Sequence, residues 1–318
     1  NNNKSQESPG QDAGVCIKMR NKLVLEFWDR KSFFKTEEYY SYVKNLINEK
    51  IKEDLDGGDI TTDSLINKNK KIKAIIIARE DGIVAGVEEI SLILNEEKVT
   101  VLKKDGSLVK NSDIILEIEG NARRILAYER TLLNIMQRMS GIATATYNLK
   151  KIVNNNCMIA ATRKTLFQLL DKKAVSVGRG LTHRLSLNDA VLIKHTHMKI
   201  MNNGLDKALR LTDKNDRIKY IELEIKNEEE ALKAIEAISN LKSQKLFAIM
   251  FDNMEAPIIK QAIIKINNNF KNNEILFEAS GGINQENIEE YSKTGVDVIS
   301  IGLITHSPKA FNMSLQIR

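Results

Sequence analysis

LFAIMFDNMEAPIIKQAIIKINNNFKNNEILFEASGGINQENIEEYSKTGVDVISIG, residues 246–302, is the stretch that decides the fold. It holds three short apolar runs, Leu246–Phe251, Ile275–Ala279 and Val296–Ile301, each followed by polar or glycine residues. Helical stretches separate the runs, and that alternation is the pattern of β/α units. Working outward, the same texture recurs at Met158–Ala161, Ala190–Ile193 and Tyr220–Ile225. Six such strands fit a parallel sheet, and a barrel is favoured because every run ends in residues with useful chemistry. Those ends are Thr162-Arg163-Lys164, Lys194, Glu224, Asp252-Asn253, Ser280-Gly281-Gly282 and Gly302. Parallel barrels build their active sites at the carboxyl ends of the strands.

Upstream the texture differs. Apolar residues Tyr40, Val43, Leu46, Ile47 and Ile51 recur at helical spacing between Glu37 and Glu53, and a turn-rich loop follows through Asp56–Asp59 to Thr61-Thr62. Strand-like runs at Lys71–Ala78, Gly82–Gly86, Val99–Leu102 and Ile114–Glu119 predict a small α+β domain with an antiparallel sheet. A long amphipathic pattern from Asn121 to Val153 predicts a helix that Gly141 ends or kinks. Residues 1–22, polar and without periodicity, read as a disordered tail. The domains expected are 23–138, an α+β unit onto which the tail 307–318 packs back, and 139–306, the catalytic barrel.

Composition narrows the function classes. With 318 residues, 42% apolar and 28% charged, the chain has the make-up of a globular protein. No apolar run approaches the ~18 residues that span a bilayer, and the amino terminus lacks a signal pattern, so a cytoplasmic protein without membrane contact is expected. Cys16 and Cys157, the two cysteines, have no metal-ligand spacing. The net charge of +6 would suit nucleic acid, but no aromatic-spaced basic stripe accompanies it. Convergence of cations on one polyanionic substrate is the alternative use of that charge.

Single lysines at a surface mean little, yet Arg163, Lys164 and Lys194 all stand at strand ends, and His183-Arg184 lies in the connection just before the Ala190–Ile193 run. Cations gathered at one rim repel unless an anion balances them, which points to phosphates, carboxylates or both. Glu224 and Asp252 suit a divalent metal, sugar hydroxyls, or ion pairs with neighbouring lysines. Ser280-Gly281-Gly282, before a helix-like stretch 285–293, and Gly302 after the next strand have the form of a phosphate loop. His195 and His197 would face opposite ways on a continuing strand, which argues against zinc.

Several ordered segments resemble quinolinate phosphoribosyltransferase: EDLDGGDITTDSLI (53–66), ERTLLNIMQRMSGIATAT (129–146), ATRKT (161–165), GRGLTHRLSLNDAVLIKHTH (178–197), IELEIKN (221–227), MFDNM (250–254), EASGGI (278–283) and GVDVISIGLITHS (295–307). The resemblance implies an N-terminal open-faced sandwich joined to an incomplete, six-stranded TIM-like α/β barrel. It implies that Arg130, Thr162, Arg163, His183, Arg184 and Lys194 bind quinolinate, with Arg130 crossing a homodimer interface. Lys164, Lys194, Glu224, Asp252, Ser280, Gly281, Gly282, Gly302 and His306 would bind phosphoribosyl pyrophosphate. Lys164, Glu224 and Asp252 would be catalytic, the two carboxylates also holding Mg2+, directly or through water. The chain departs from the family's TRKTTPGLR, with Phe167, Gln168 and Leu170 at the Pro, Gly and Arg positions, and from its KDNH, with His195-Thr196-His197 after Lys194. The reaction expected is phosphoribosyl transfer to quinolinate with loss of CO2. A related transferase acting on nicotinate or another acidic ring is the nearest alternative, and a basic nucleic-acid-binding protein a more distant one.

Overall fold

The computed structural model describes residues 9–202, 204–270 and 274–318, with the side chains of 9–17 excepted. In chain order its helices are α1 (Pro9–Trp28), α2 (Glu37–Asp54), α3 (Ile60–Leu65), α4 (Val87–Ile93), α5 (Ala122–Val153), α6 (Leu169–Val177), α7 (His195–Ile200), α8 (Leu205–Asp213), α9 (Glu228–Ser239), α10 (Ala256–Asn269), α11 (Ile288–Ser292) and α12 (Leu303–His306). The strands are β1 (Lys71–Ala78), β2 (Gly82–Ile83), β3 (Lys98–Val101), β4 (Leu108–Val109), β5 (Ile114–Asn121), β6 (Met158–Ala161), β7 (Val191–Ile193), β8 (Tyr220–Ile225), β9 (Leu246–Asp252), β10 (Leu276–Ser280), β11 (Val298–Ile301) and β12 (Met313–Ile317). Among the described residues no helix is long and apolar enough to cross a membrane.

Two compact units are each assembled from non-consecutive segments. One comprises Arg30–Ile152, Ala161–Leu185 and Ile301–Arg318; the other comprises 9–29, Val153–Ala160 and Ser186–Ser300. In this grouping α5, and the chain that follows β6, fall with the N-terminal sheet.

The first unit is built on a four-stranded sheet in the order β12-β1-β5-β3, with β1 antiparallel to both neighbours. β12, the end of the chain, pairs Leu315 with Ile76 of β1. The last five residues of β1, Ala74–Ala78, are all buried, which is why that strand reads as a continuous apolar run. Helix α2 starts at Thr36, whose hydroxyl accepts from the Tyr39 amide at 3.3 Å. Its buried face is Tyr39, Val43, Ile47 and Ile51, an i, i+4 stripe, so Tyr40 and Leu46 fall to its flanks. The expected loop at Thr61-Thr62 is instead helical, because Asp59 caps α3 by accepting from the Thr62 amide at 2.9 Å.

Gly141 does not end α5, which runs unbroken for 32 residues. A Cβ at Gly141 would lie 2.0 Å from the Lys309 carbonyl oxygen. The residue is glycine because the returning chain at 309–311 passes against the helix backbone, where the Phe311 amide donates to the Gln137 carbonyl at 2.9 Å.

The second unit carries a six-stranded sheet in the order β6-β11-β10-β9-β8-β7, and the pairs from β7 to β11 are parallel. β9, β10 and β11 are buried along nearly their whole length, as strands covered on both faces must be. The tail expected through residue 22 is corrected from Pro9 onward, where α1 begins; residues 1–8 of that tail lie outside the described residues. What holds α1 is tertiary. Arg20 donates from Nε and Nη2 to the two carboxylate oxygens of Asp297, at 2.5 and 2.7 Å, and lies 5.6 Å from the Phe277 ring centroid. Val24 and Phe27 are buried one and two turns further on, with Phe27 edge-on to Tyr220.

Candidate active site

In the first unit, the chain leaving β6 turns sharply at Thr162, whose hydroxyl accepts from the Lys164 amide at 3.1 Å. The Thr305 hydroxyl from α12 donates to the Lys164 carbonyl at 2.8 Å, tying this turn to the segment after β11. A Cβ at Gly302 would lie 3.1 Å from His306 Cδ2, 3.2 Å from Lys164 Cδ and 3.4 Å from Thr162 Oγ1. Thr162, Lys164, Gly302 and His306 thus meet at one point, and glycine is the residue that leaves room there. Arg163 and Lys164 are exposed, and neither forms an ion pair among the described residues.

His183 adopts a left-handed φ of 53°, and its Nδ1 accepts from the Arg184 amide at 2.8 Å. That bond leaves Nε2 as the position for a proton on the neutral ring and fixes the ring's direction. Both residues are buried. Gly178, in the glycine-containing stretch before them, lets the end of α6 approach α5, since a Cβ would come within 2.4 Å of the Ala143 carbonyl oxygen. Arg130 is exposed on α5 and forms no ion pair among the described residues.

In the second unit, Lys194, Glu224, Asp252 and Ser280 stand at the carboxyl ends of the neighbouring strands β7, β8, β9 and β10. Asp252 is in register with Ser280. Glu224 accepts a long bond from the His195 amide at 3.4 Å, while the Asp252 carboxylate accepts no hydrogen bond among the described residues. Glu224 and His195 help line a cavity of about 330 Å³, with Ile193, Met198, Leu205 and Lys233 among its other walls. The strand does not continue through the histidines: α7 begins at His195, and His197 Nδ1 accepts from the Lys194 amide at 2.9 Å. Lys194 is exposed and has no ion-pair partner among the described residues.

Gly281 and Gly282 both have positive φ, 91° and 66°, as does Asn253 at 54°. A Cβ at Gly281 would lie 2.4 Å from Asn253 Oδ1, so the loop after β10 wraps the Asn253 amide. The Asn253 backbone N–H donates to the Ser280 carbonyl at 2.8 Å. The helix expected over 285–293 is only the five-residue α11, starting at Ile288. A phosphate here would therefore be met by loop N–H groups rather than by a helix end. Cys157 stands apart from this chemistry: burial, with Asp297 nearby, pushes its thiol up to about 12.

Sequence reading passed over the residues that hold the Lys164 turn. Arg138 and Thr305 lie inside the resembling segments 129–146 and 295–307 without a role assigned to them there, Asp171 lies outside every such segment, and their convergence is what marks them. Asn253 had its position beside Asp252 as a signal, but its role in shaping the glycine loop is visible only in three dimensions.

The family model described as quinolinate phosphoribosyl transferase, C-terminal domain, matches residues 142–316, and the N-terminal domain model matches 59–140. A probable nicotinate-nucleotide pyrophosphorylase (carboxylating) of Methanothermobacter thermautotrophicus is 38% identical over 86% of this chain and 98% of its own length. One from Methanocaldococcus jannaschii is 40% identical over 87% and 97%. Among solved structures, the nicotinate-nucleotide pyrophosphorylase of Francisella tularensis superposes with a TM-score of 0.76 at 34% identity, covering 88% of this chain and 97% of that one. Matched by both domain models and along nearly the full length of these relatives, the chain belongs to the quinolinate phosphoribosyl transferase family.

Proposed function

We propose that this protein transfers the phosphoribosyl group of phosphoribosyl pyrophosphate to quinolinate and releases CO2, giving nicotinate mononucleotide for NAD biosynthesis. The observation that carries the reading is a set of uncommitted cations. Arg130, Arg163, Lys164 and Lys194 form no ion pair among the described residues, although acidic side chains are plentiful in the chain. Such cations are available to a reactant with several negative charges, and both of these substrates are polyanions.

In this reading Thr162, Arg163, His183, Arg184 and Lys194 hold the two ring carboxylates, and Arg130 serves the site of a second copy in a cytoplasmic homodimer. Arginine supplies a planar fork that matches a carboxylate, so several arginines suit a dicarboxylate better than lysines would. Lys164 faces the diphosphate, with Gly302 and His306 beside it. Lys194 also reaches the phosphoribosyl donor, and the Ser280-Gly281-Gly282 loop receives its 5′-phosphate. Glu224 and Asp252 present hard oxygen donors on adjacent strands, one of them without a hydrogen-bond donor, and that set fits magnesium arriving with the diphosphate.

The ring nitrogen attacks C1 of the ribose as the C1–O bond to pyrophosphate breaks. Lys164 balances the leaving group's charge, while the carboxylates of Glu224 and Asp252 orient the ribose and tolerate positive charge at C1. The positive charge on the nitrogen, now quaternary, stabilises the carbanion left at C2 when that carboxylate departs as CO2, and the electron pair at C2 then takes up a proton. The test is incubation with phosphoribosyl pyrophosphate, magnesium and either quinolinate or nicotinate, scored by product mass and released CO2. Nicotinate mononucleotide with one CO2 per turnover is expected from quinolinate. Product from nicotinate alone would move the assignment to the related transferase.

A further inference from the structure

We propose that Arg138 and Asp171 are positioning residues that set the backbone of the Arg163-Lys164 turn, an inference that rests on the function proposed above. Asp171, in the first turn of α6, is fully buried. Its carboxylate accepts from Arg138 Nε and Nη2, both at 2.8 Å, in the two-pronged geometry that fixes direction as well as distance. It also accepts from the Thr165 hydroxyl at 2.5 Å and from the Phe167 amide at 3.3 Å. Arg138 in turn donates from Nη2 to the Thr305 carbonyl at 2.9 Å, and its guanidinium lies 5.3 Å from the Phe167 ring centroid.

These bonds bracket Lys164 on both sides. Downstream, Thr165 and Phe167 are anchored on Asp171. On the other side, Thr305, held by Arg138 through its carbonyl, donates its hydroxyl to the Lys164 carbonyl at 2.8 Å and to the Gly302 carbonyl at 3.2 Å. The network therefore joins three pieces of chain, α5, the turn after β6 and α12, at the place where two substrate-facing cations leave the backbone.

The sequence at this turn explains why such a network is needed. Residue 167 is phenylalanine where the resembled pattern has proline, so the turn lacks a ring-locked φ. Gln168, next in line, has a φ of 32°, a strained value for a side chain of its size. Phe167 instead offers an N–H to Asp171 and an aromatic face to Arg138, and proline has neither. Hydrogen bonds to one buried carboxylate do here what a fixed dihedral would otherwise do.

The test is a double-mutant cycle read in activity and in stability. Arg138→Ala would leave a buried carboxylate unpaired and endanger folding, so Arg138→Lys, which keeps the charge but loses the fork, is the first variant. Thr165→Val, which removes one donor and leaves the ion pair, is the second, with Thr165→Ser as the conservative rescue. A displacement on the order of 1 Å at a reacting group costs about a hundredfold in rate. Arg138→Lys is expected to lower kcat/KM for phosphoribosyl pyrophosphate by tenfold to a hundredfold, as a rough bound from that figure. Thr165→Val should lower it less, and Thr165→Ser should restore it. Lys164→Ala should cost far less in the Arg138→Lys or Thr165→Val background than alone, because the lysine is already misplaced, while the melting temperatures combine additively.

Activity losses that multiply independently, or that follow melting temperature alone, overturn the proposal while an active wild type leaves the function standing. A wild type inactive towards quinolinate removes the function, and this inference falls with it.

Discussion

Replacing Gly141 by alanine sets helix propensity against tertiary packing, and the two give opposite signs. Position 141 lies within a 32-residue helix, where alanine is better than glycine by about 1 kcal/mol. The added Cβ, however, would sit 2.0 Å from the Lys309 carbonyl oxygen and 3.3 Å from the Phe311 nitrogen. Restoring ordinary contact requires the 309–311 backbone to retreat by more than an ångström. That retreat strains the bond from the Phe311 amide to the Gln137 carbonyl, 2.9 Å long, and unseats Phe311, which is 3% exposed. Overpacking of this kind costs about 1–3 kcal/mol. A lost backbone hydrogen bond adds about 1 kcal/mol, which roughly cancels the propensity gain. The net expectation is destabilisation by roughly 1–3 kcal/mol, read as a lower urea midpoint at unchanged slope and a lower Tm. A Gly141→Ala protein as stable as wild type, or more so, would refute the close approach of the C-terminal segment to α5.

Lys164→Ala should reduce turnover with quinolinate by two orders of magnitude or more, on the scale of about a hundredfold for a lost charge-stabilising donor, with the melting curve unmoved; near-normal turnover would remove the residue from the chemistry. Gly281→Ala forces a side chain into φ 91° and against the Asn253 amide, so it should weaken binding of phosphoribosyl pyrophosphate while costing about 1–3 kcal/mol of stability, both measurable by calorimetry. Glu89 is buried on α4, where its Oε1 accepts from Tyr39 Oη at 2.6 Å and its Oε2 has no partner among the described residues. Desolvation, with Asp105 beside it, raises its carboxyl to about 7, above the usual 4.5, so the folded state favours the proton. Its stabilising contribution is present in full below the unfolded value and is lost as pH rises through about 7. Glu89→Gln should therefore raise Tm at pH 8 relative to wild type and do so much less at pH 5; an equal shift at both would show that the carboxyl's ionisation is not involved.

Local pattern and global arrangement divided the information unevenly. The runs 246–251, 275–279 and 296–301 were legible as strands because burial on both faces demands continuous apolar residues, and that demand is met within each segment. Helix α2 was legible for the same local reason, although its stripe is centred on Tyr39 rather than Tyr40. By contrast, α1 looked like a polar tail. Its anchor, Arg20 on Asp297, spans 277 positions in sequence, and no window of periodicity can register a bond of that reach. The extent of the helix after Gly281-Gly282 was misjudged because polar residues such as Asn284 and Asn287 serve turns and helices alike; here the Asn287 side chain accepts from the Asn284 amide.

By itself, the sequence determined where the six strands of the parallel sheet lie, which charged groups end them and which family the chain resembles, since each depends on residues close together in the chain. Tertiary structure alone decided that Gly141 stays inside an unbroken helix, that Gly302 admits Lys164 and His306, and that Arg138 and Asp171 hold the turn between Thr162 and Phe167. Those outcomes depend on the distance between atoms far apart in the chain, and that distance exists only once burial has brought them together.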